Sequence, residues 1–228
     1  MKNNKAYLYY FTADFKSEKK LNDLSPISEE HSKLLYTNIF NNAVEQIGYV
    51  DNIKKIICFS VEGNPVIDED ISSQFEFINY TIEENIYEKL FEINSDDYGR
   101  NLLIFPNTIG FSSQDIKRVF DLLLDDGDAL VIGKTKDNRG CFIGTNFLDE
   151  QLINHISESN FEFDDLLKRI KRKNVYYFVF NGYLSVNKLI DFKDLYILLS
   201  NRESEKFCSE NIHKEFTNLF IEYKELLK

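Results

Sequence analysis

Short apolar runs separated by longer amphipathic stretches mark this 228-residue sequence as a parallel sheet with crossover helices. Ala6–Phe11 (AYLYYF) follows a polar N-terminus and reads as a central strand. Ser28 opens a helix. It offers a hydroxyl N-cap, Glu29 and Glu30 suit the first turn, Tyr36, Phe40, Ala43 and Ile47 recur at helical spacing, and Gly48 is a stop. Lys55–Val61 (KIICFSV) is the second strand, ended by Glu62-Gly63-Asn64-Pro65, so the three elements make a right-handed βαβ unit. Asp68–Ser73 reads as a short helix, Phe75–Tyr80 as a short alternating strand, and Thr81–Ile93 as a helix with Ile82, Ile86, Leu90 and Ile93 on one face.

The stretch from Asn101 to Thr145 is the most patterned. A strand over Asn101–Pro106 leads to a helix capped by Ser112 or Ser113, whose Ile116, Val119, Phe120, Leu123 and Leu124 form a core face. Asp125-Asp126-Gly127 ends it, Ala129–Ile132 is another buried strand, and Cys141–Gly144 is expected as a short strand near an edge. Ligands of open α/β sheets sit outside the carboxyl ends of strands, which points to Pro106–Gly110 and Lys134–Arg139.

Beyond residue 150 the pattern loosens. Asp149–Ile156, Phe163–Lys171, Asp191–Leu199 and Ser209–Leu227 read as helices, and Val175–Phe180 as a strongly β-prone run. Aromatic Val175–Tyr183 is expected to be sheet core rather than a base-stacking platform, since no cationic stripe accompanies it. Any exposed part of it would be the first candidate for a protein interface. No internal repeat or Pro/Gly-rich linker breaks the chain, so a single domain is the simplest account.

Charge narrows the partners. A net charge of −11 argues against broad binding to a nucleic-acid backbone while leaving room for one local anion site. No apolar run approaches the roughly 18 residues of a membrane span. Cys58, Cys141 and Cys208 are far apart and odd in number, which suits buried thiols in a reducing cytoplasm. His31, His155 and His213 lie in no metal-ligand spacing. The loop Thr12–Leu24 carries Lys16, Lys19 and Lys20 after the first strand. That location suits a nucleotide phosphate, but Glu18, Asp23 and the lack of glycine favour a solvated loop.

In the order of these elements the chain resembles a bacterial family of small GT-A-type nucleotide-diphospho-sugar transferases, relatives of the guanylyltransferase of deazaflavin-cofactor synthesis. The residues that carry the resemblance are LLIFPNTIGF, a helix, then ALVIGKTKDNRGCFIG, with Gly110, Gly133, Asp137, Ile143 and Gly144 on family positions. Ser25-Pro26, Tyr87–Leu90 and Ile190–Leu195 match weaker pieces. The resemblance spans roughly residues 6 to 200. It implies a three-layer α/β/α GT-A fold with a mainly parallel central sheet, residues 6–145 forming the nucleotide-binding-like half and 146–228 a looser half ending in a helix. The implied site uses Thr12, Asn107, Gly110, Lys134 and Arg139 around a nucleotide or nucleotide-sugar, with Asp137 as the catalytic candidate. Mg²⁺ or Mn²⁺ would fall to Asn107, Asp137 and Asp191.

Departures from the family pattern set the functional expectation. The phosphate-binding Lys-Thr-Arg loop aligns with Leu21-Asn22-Asp23, whose acid repels phosphate. The metal-associated aspartate aligns with Asn107, which supplies an amide oxygen but no charge. The later Asp-x-Asp pair aligns with Lys188 and Ile190, with Asp191 one position away. Nucleotide-dependent transfer relies on neutralising the leaving diphosphate, so these three changes predict a pseudoenzyme-like protein that binds or regulates. The alternative is an active transferase in which Lys134, Lys136 and Arg139 substitute for the metal. A protein partner or homo-oligomer fits the first expectation.

Overall fold

The computed structural model describes residues 5–12, 24–60, 73–80, 99–124, 127–159, 162–170 and 175–228. The elements in chain order are β1 (Ala6–Phe11), α1 (Glu29–Gly48), β2 (Lys54–Ser60), β3 (Glu76–Tyr80), β4 (Arg100–Ile104), β5 (Thr108–Ile109) and α2 (Ser113–Leu122). There follow β6 (Asp128–Thr135), β7 (Gly140–Thr145), α3 (Glu150–Glu158), α4 (Phe163–Ile170), β8 (Val175–Ser185), α5 (Leu189–Leu199) and α6 (Glu210–Glu222), with short 3-10 turns at Arg202–Lys206 and Lys224–Leu227. The expected helices over Asp68–Ser73 and Thr81–Ile93 fall almost wholly outside the described residues, as does most of the Thr12–Leu24 loop.

Helix ends follow from local chemistry. Ser28 caps α1, its Oγ accepting the N–H of His31 at 3.2 Å. Ser112 caps α2 in a reciprocal box, its Oγ accepting the Asp115 N–H while its own N–H donates to the Asp115 carboxylate at 2.8 Å. Asp149 caps α3 by accepting the Leu152 N–H at 2.8 Å.

The strands make one curled sheet in the order β3-β2-β1-β4-β7-β6-β8-β5. β1 pairs in parallel with β2 and β4, β2 with β3, and β6 with β8, while β7 runs antiparallel between β4 and β6. β1, β2, β3, β4, β6 and β8 therefore all end on the same side of the molecule.

Alternate residues of each strand feed opposite layers. Leu8, Tyr10, Ile57, Leu102, Ile104 and Val131 pack with Ala43 and Ile47 of α1 and Ile116 and Val119 of α2. Tyr9, Ile56, Leu103, Leu130, Ile132 and Ile143 pack on the other face with Leu152 and Ile156 of α3 and Leu166 and Ile170 of α4. A third cluster joins α1 to the C-terminal part through Leu35, Ile39, Ile109, Phe192, Leu195 and Phe216. The three-layer α/β/α architecture expected from the sequence is the one observed, and among the described residues no helix is long and apolar enough to cross a membrane.

Two expectations need correction. β7 is no edge strand: all six of its residues are buried, with Leu103↔Ile143 pairing on one side and Ile132↔Ile143 on the other. Reversal through the tight turn after β6 drops it into the gap beside β4, a long-range choice that its short length does not reveal. The run Val175–Tyr183 is not uniformly core either, because β8 lies at the far side of β6 and leaves Tyr176 and Val179 exposed.

Candidate functional site

The carboxyl ends of β1, β4 and β6 bring the expected site segments to one rim. Thr12 follows β1 and is tied down there, its N–H donating to the Cys58 carbonyl at 2.9 Å and its hydroxyl to the same oxygen at 3.3 Å. Tyr10 pairs with Ile104, so Thr12 stands level with the start of the Pro106–Gly110 segment. That segment is stitched to β7: the Phe105 N–H donates to the Cys141 carbonyl at 2.9 Å, and Thr108 Oγ1 approaches the same oxygen at 3.4 Å. β7 continues back to the β6 turn through Lys134↔Gly140.

Asn107 turns the chain there. Its φ is +59°, a conformation that asparagine tolerates better than most residues. Its carbonyl accepts the Val186 N–H at 3.0 Å, and its amide Nδ2 donates to Asn187 Oδ1 at 3.2 Å. Asn187 in turn donates to Ser185 Oγ at 2.9 Å. Gly110 has φ +104°, and a Cβ at that point would stand 3.6 Å from the Gly182 carbonyl oxygen. The segment is a rigid fold-back against the end of β8.

The turn after β6 is built by one hydroxyl. Thr135 is buried; its Oγ1 donates to the Asp137 carboxylate and accepts the Arg139 N–H at 3.0 Å, while the Thr135 N–H donates to the Arg139 carbonyl at 2.9 Å. Asn138, at φ +66°, supplies the reversal, and its Nδ2 donates to Asp164 of α4 at 3.0 Å. Lys134 lies with its ammonium 4.5 Å from the centre of the Phe163 ring. Lys134, Asp137 and Arg139 are thus held on a braced turn.

Asp191 sits apart in role. Its Oδ2 accepts the backbone N–H groups of Asn187 and Lys188, each at 2.8 Å, which braces the start of α5. Through Asn187 it also anchors the partner of Asn107. Sequence reasoning missed Asn187, Ser185 and Thr135. Thr135 had a readable signal in Thr-x-Asp-x-Arg, a hydroxyl two residues before an acid in a turn. Asn187 had none, because its significance depends on meeting Asn107 from 80 positions away.

Mg²⁺ at a nucleotide site is held through one or two carboxylates together with the substrate phosphates. Among the described residues no group of three His, Cys, Asp or Glu side chains converges. The Asn107 and Asn187 amides are turned on each other, and Asp137 and Asp191 each receive donors from their own loop. Asn107 itself brings an amide oxygen and no charge to such a site.

Among the described residues the cysteine thiols are buried and His31 and His213 are engaged. Burial pushes the Cys58 and Cys208 thiols up to about 12 and the Cys141 thiol higher still, which suppresses thiolate formation. Burial, with Asp115 and Cys141 adding to it, likewise raises the Tyr183 phenol. The His31 ring bonds the Tyr223 hydroxyl at 2.7 Å, and His213 Nε2 donates to the Leu199 carbonyl at 2.9 Å. Two shallow depressions of about 430 and 640 Å³ lie between α5 and α6 and share Leu199, Ser200 and His213, away from the strand ends.

No protein-family model matches the sequence, and no curated protein matches it. Solved structures do resemble it. One, provisionally described as a nucleotide-diphospho-sugar transferase from Desulfovibrio desulfuricans G20, superposes with a TM-score of 0.70 at 14% identity, covering 97% of this chain and 99% of that one. A cytidylyltransferase from Leptospira borgpetersenii gives 0.49 at 10% identity over 100% of this chain and 97% of its own. A CMP:2-keto-3-deoxy-manno-octonic acid synthetase complexed with CTP gives 0.45 at 10% identity over 87% and 99%. The first of these shows that the chain has the nucleotide-diphospho-sugar transferase fold.

Proposed function

We propose that this protein binds a nucleotide or nucleotide-sugar at the rim formed by Thr12, Asn107, Gly110, Lys134 and Arg139, and that it does so without metal-assisted transfer. The observation that carries the reading is the Asn107–Asn187 amide pair at the end of β4. At the position where the resemblance implies an acid for the metal, a neutral amide donates to a second neutral amide. Asp191 supports the same reading, since its carboxylate oxygen serves two backbone donors. What remains for an anion is cationic: Lys134 and Arg139 on the braced turn. Such a site recognises a diphosphate as a ligand and serves a binding or regulatory role.

The test is a thermal-shift panel of nucleotides and nucleotide-sugars with and without Mn²⁺. Ligand at about 100 times its Kd adds roughly 2.7 kcal/mol, a readily visible shift. Metal-independent stabilisation that is lost in Arg139→Ala is the expected result. Mn²⁺-dependent turnover of any nucleotide-sugar would overturn it.

A second reading, an active transferase using cations in place of the metal, is favoured by the rigidity of the Thr135–Arg139 turn, which would hold Asp137 and Arg139 for work on a leaving diphosphate. Turnover in chelator that disappears in both Asp137→Ala and Arg139→Ala would establish it.

A further inference from the structure

One flank of α1 carries three carboxamides at intervals of four residues, Asn38, Asn42 and Gln46. All three are buried, at 5%, 0% and 5% exposure. Asparagine is among the weaker helix formers, so two of them on a buried helix face call for a reason. Residues four apart lie on the same face with their Cβ atoms about 5–6 Å from one another.

Gln46 has its partner in place. Its Oε1 accepts the Ser113 N–H at 3.1 Å and so serves one of the open donors in the first turn of α2. One and two turns back along α1 the chemistry differs. Among the described residues Asn42 Oδ1, Asn42 Nδ2 and Asn38 Nδ2 have no hydrogen-bond partner, although all three atoms are sealed from solvent. A buried amide left unpaired forfeits the full cost of its desolvation, and native interiors leave few groups in that condition.

We propose that this flank of α1 holds buried water shared between the Asn38 and Asn42 amides. One molecule donates to Asn42 Oδ1 while accepting from Asn38 Nδ2, and a second, bonded to the first, accepts from Asn42 Nδ2. Each water then has two or more polar partners, as ordered interior waters do. The spacing agrees, because one bridging molecule spans about twice the roughly 2.9 Å of a single hydrogen bond, the separation expected of side chains one helical turn apart.

Closure and charge select the occupant. Asn42 is wholly enclosed, which excludes a ligand that must reach in from the surface. The three atoms are neutral, two donors and one acceptor, so they offer an ion no opposite charge to offset the loss of its hydration. Water supplies a donor and an acceptor in one small molecule. The site is thus an internal part of the fold, continuing along α1 the polar seam that Gln46 begins at α2.

Nuclear magnetic resonance of the native protein tests this without any variant. Both side-chain amides should show cross-relaxation with water of the sign that marks a long-lived contact. Asn38→Leu, Asn42→Leu and the double variant form a second arm read by thermal unfolding. Asn42→Leu should lower Tm, because it displaces the water and strands Asn38 Nδ2, and the double variant should lose less than the sum of the two single losses. Amides without a water contact, a Tm raised by Asn42→Leu, or strictly additive losses would each overturn the proposal.

Discussion

The side-chain amide of Asn107 donates to Oδ1 of Asn187 at 3.2 Å, joining the end of β4 to the residue just beyond β8. Both groups are neutral, both belong to fixed backbone, and Asn187 is itself held by Asp191 through its N–H. A chain of polar contacts thus runs from the rim of the sheet into the first turn of α5.

Asn107→Asp converts the rim amide to a carboxylate while keeping a side chain that tolerates positive φ. The lost amide donor should cost about 1 kcal/mol of stability. In exchange, nucleotide stabilisation should become Mn²⁺-dependent in a thermal-shift comparison of the two proteins. If metal has no effect on the variant, charge at this position is not what the site lacks.

Asp191→Ala removes the acceptor for two backbone N–H groups at a buried position. Losses of this type run about 0.5–2 kcal/mol, and the reduced urea midpoint should come with an unchanged denaturant slope. A midpoint equal to that of the native protein would remove Asp191 from its bracing role.

Gly133→Ala should destabilise more. An added Cβ would sit 2.3 Å from Cε1 of Phe142, whose ring is hemmed in by Tyr183 at 5.1 Å and Phe180 at 6.2 Å. Overpacking at such a site costs about 1–3 kcal/mol, and calorimetry should register a fall in Tm. Little change would mean that the aromatic group can slide.

Alkaline pH should weaken the fold. Burial raises Cys58 and Cys208 from an ordinary 9.0 to about 12, so the folded state keeps protons that the unfolded chain releases. Stability from these groups is complete below pH 9 and is lost as pH rises from there toward 12, since the unfolded state binds fewer protons across that window. Urea midpoints measured from pH 7 to 10.5 should be level first and then fall, and Cys58→Ala/Cys208→Ala should flatten the descent. A profile unchanged by the double substitution would assign the fall to other groups.

The layers of this fold were legible because they depend on local periodicity. β1, β2, α1, α2 and β6 announce themselves by runs and spacings within a dozen or so residues, and caps such as Ser28 and Ser112 by hydroxyls ahead of acids. The rim was legible in part: the segments Pro106–Gly110 and Lys134–Arg139 follow from knowing which ends of strands face the same way, while the choice of Thr12, Asn107, Gly110, Lys134 and Arg139 within it is what the family resemblance implies. Two of their partners were not: Asn187 and Phe163 matter through contacts whose distance in sequence carries no local trace, whereas Thr135 leaves a signal within its own turn.

What the sequence by itself determined is the alternation of buried strands and amphipathic helices, because a side chain's layer is set by its spacing from near neighbours. Tertiary structure alone decided that β7 enters the middle of the sheet, that Tyr176 and Val179 of β8 stand exposed, and that Asp191 braces a helix. Those outcomes turn on which strand edges find each other and which donors reach a carboxylate, and backbone hydrogen-bonding groups are the same for every residue except proline. Side-chain pattern selects the face of a strand, and only the assembled sheet selects its neighbours.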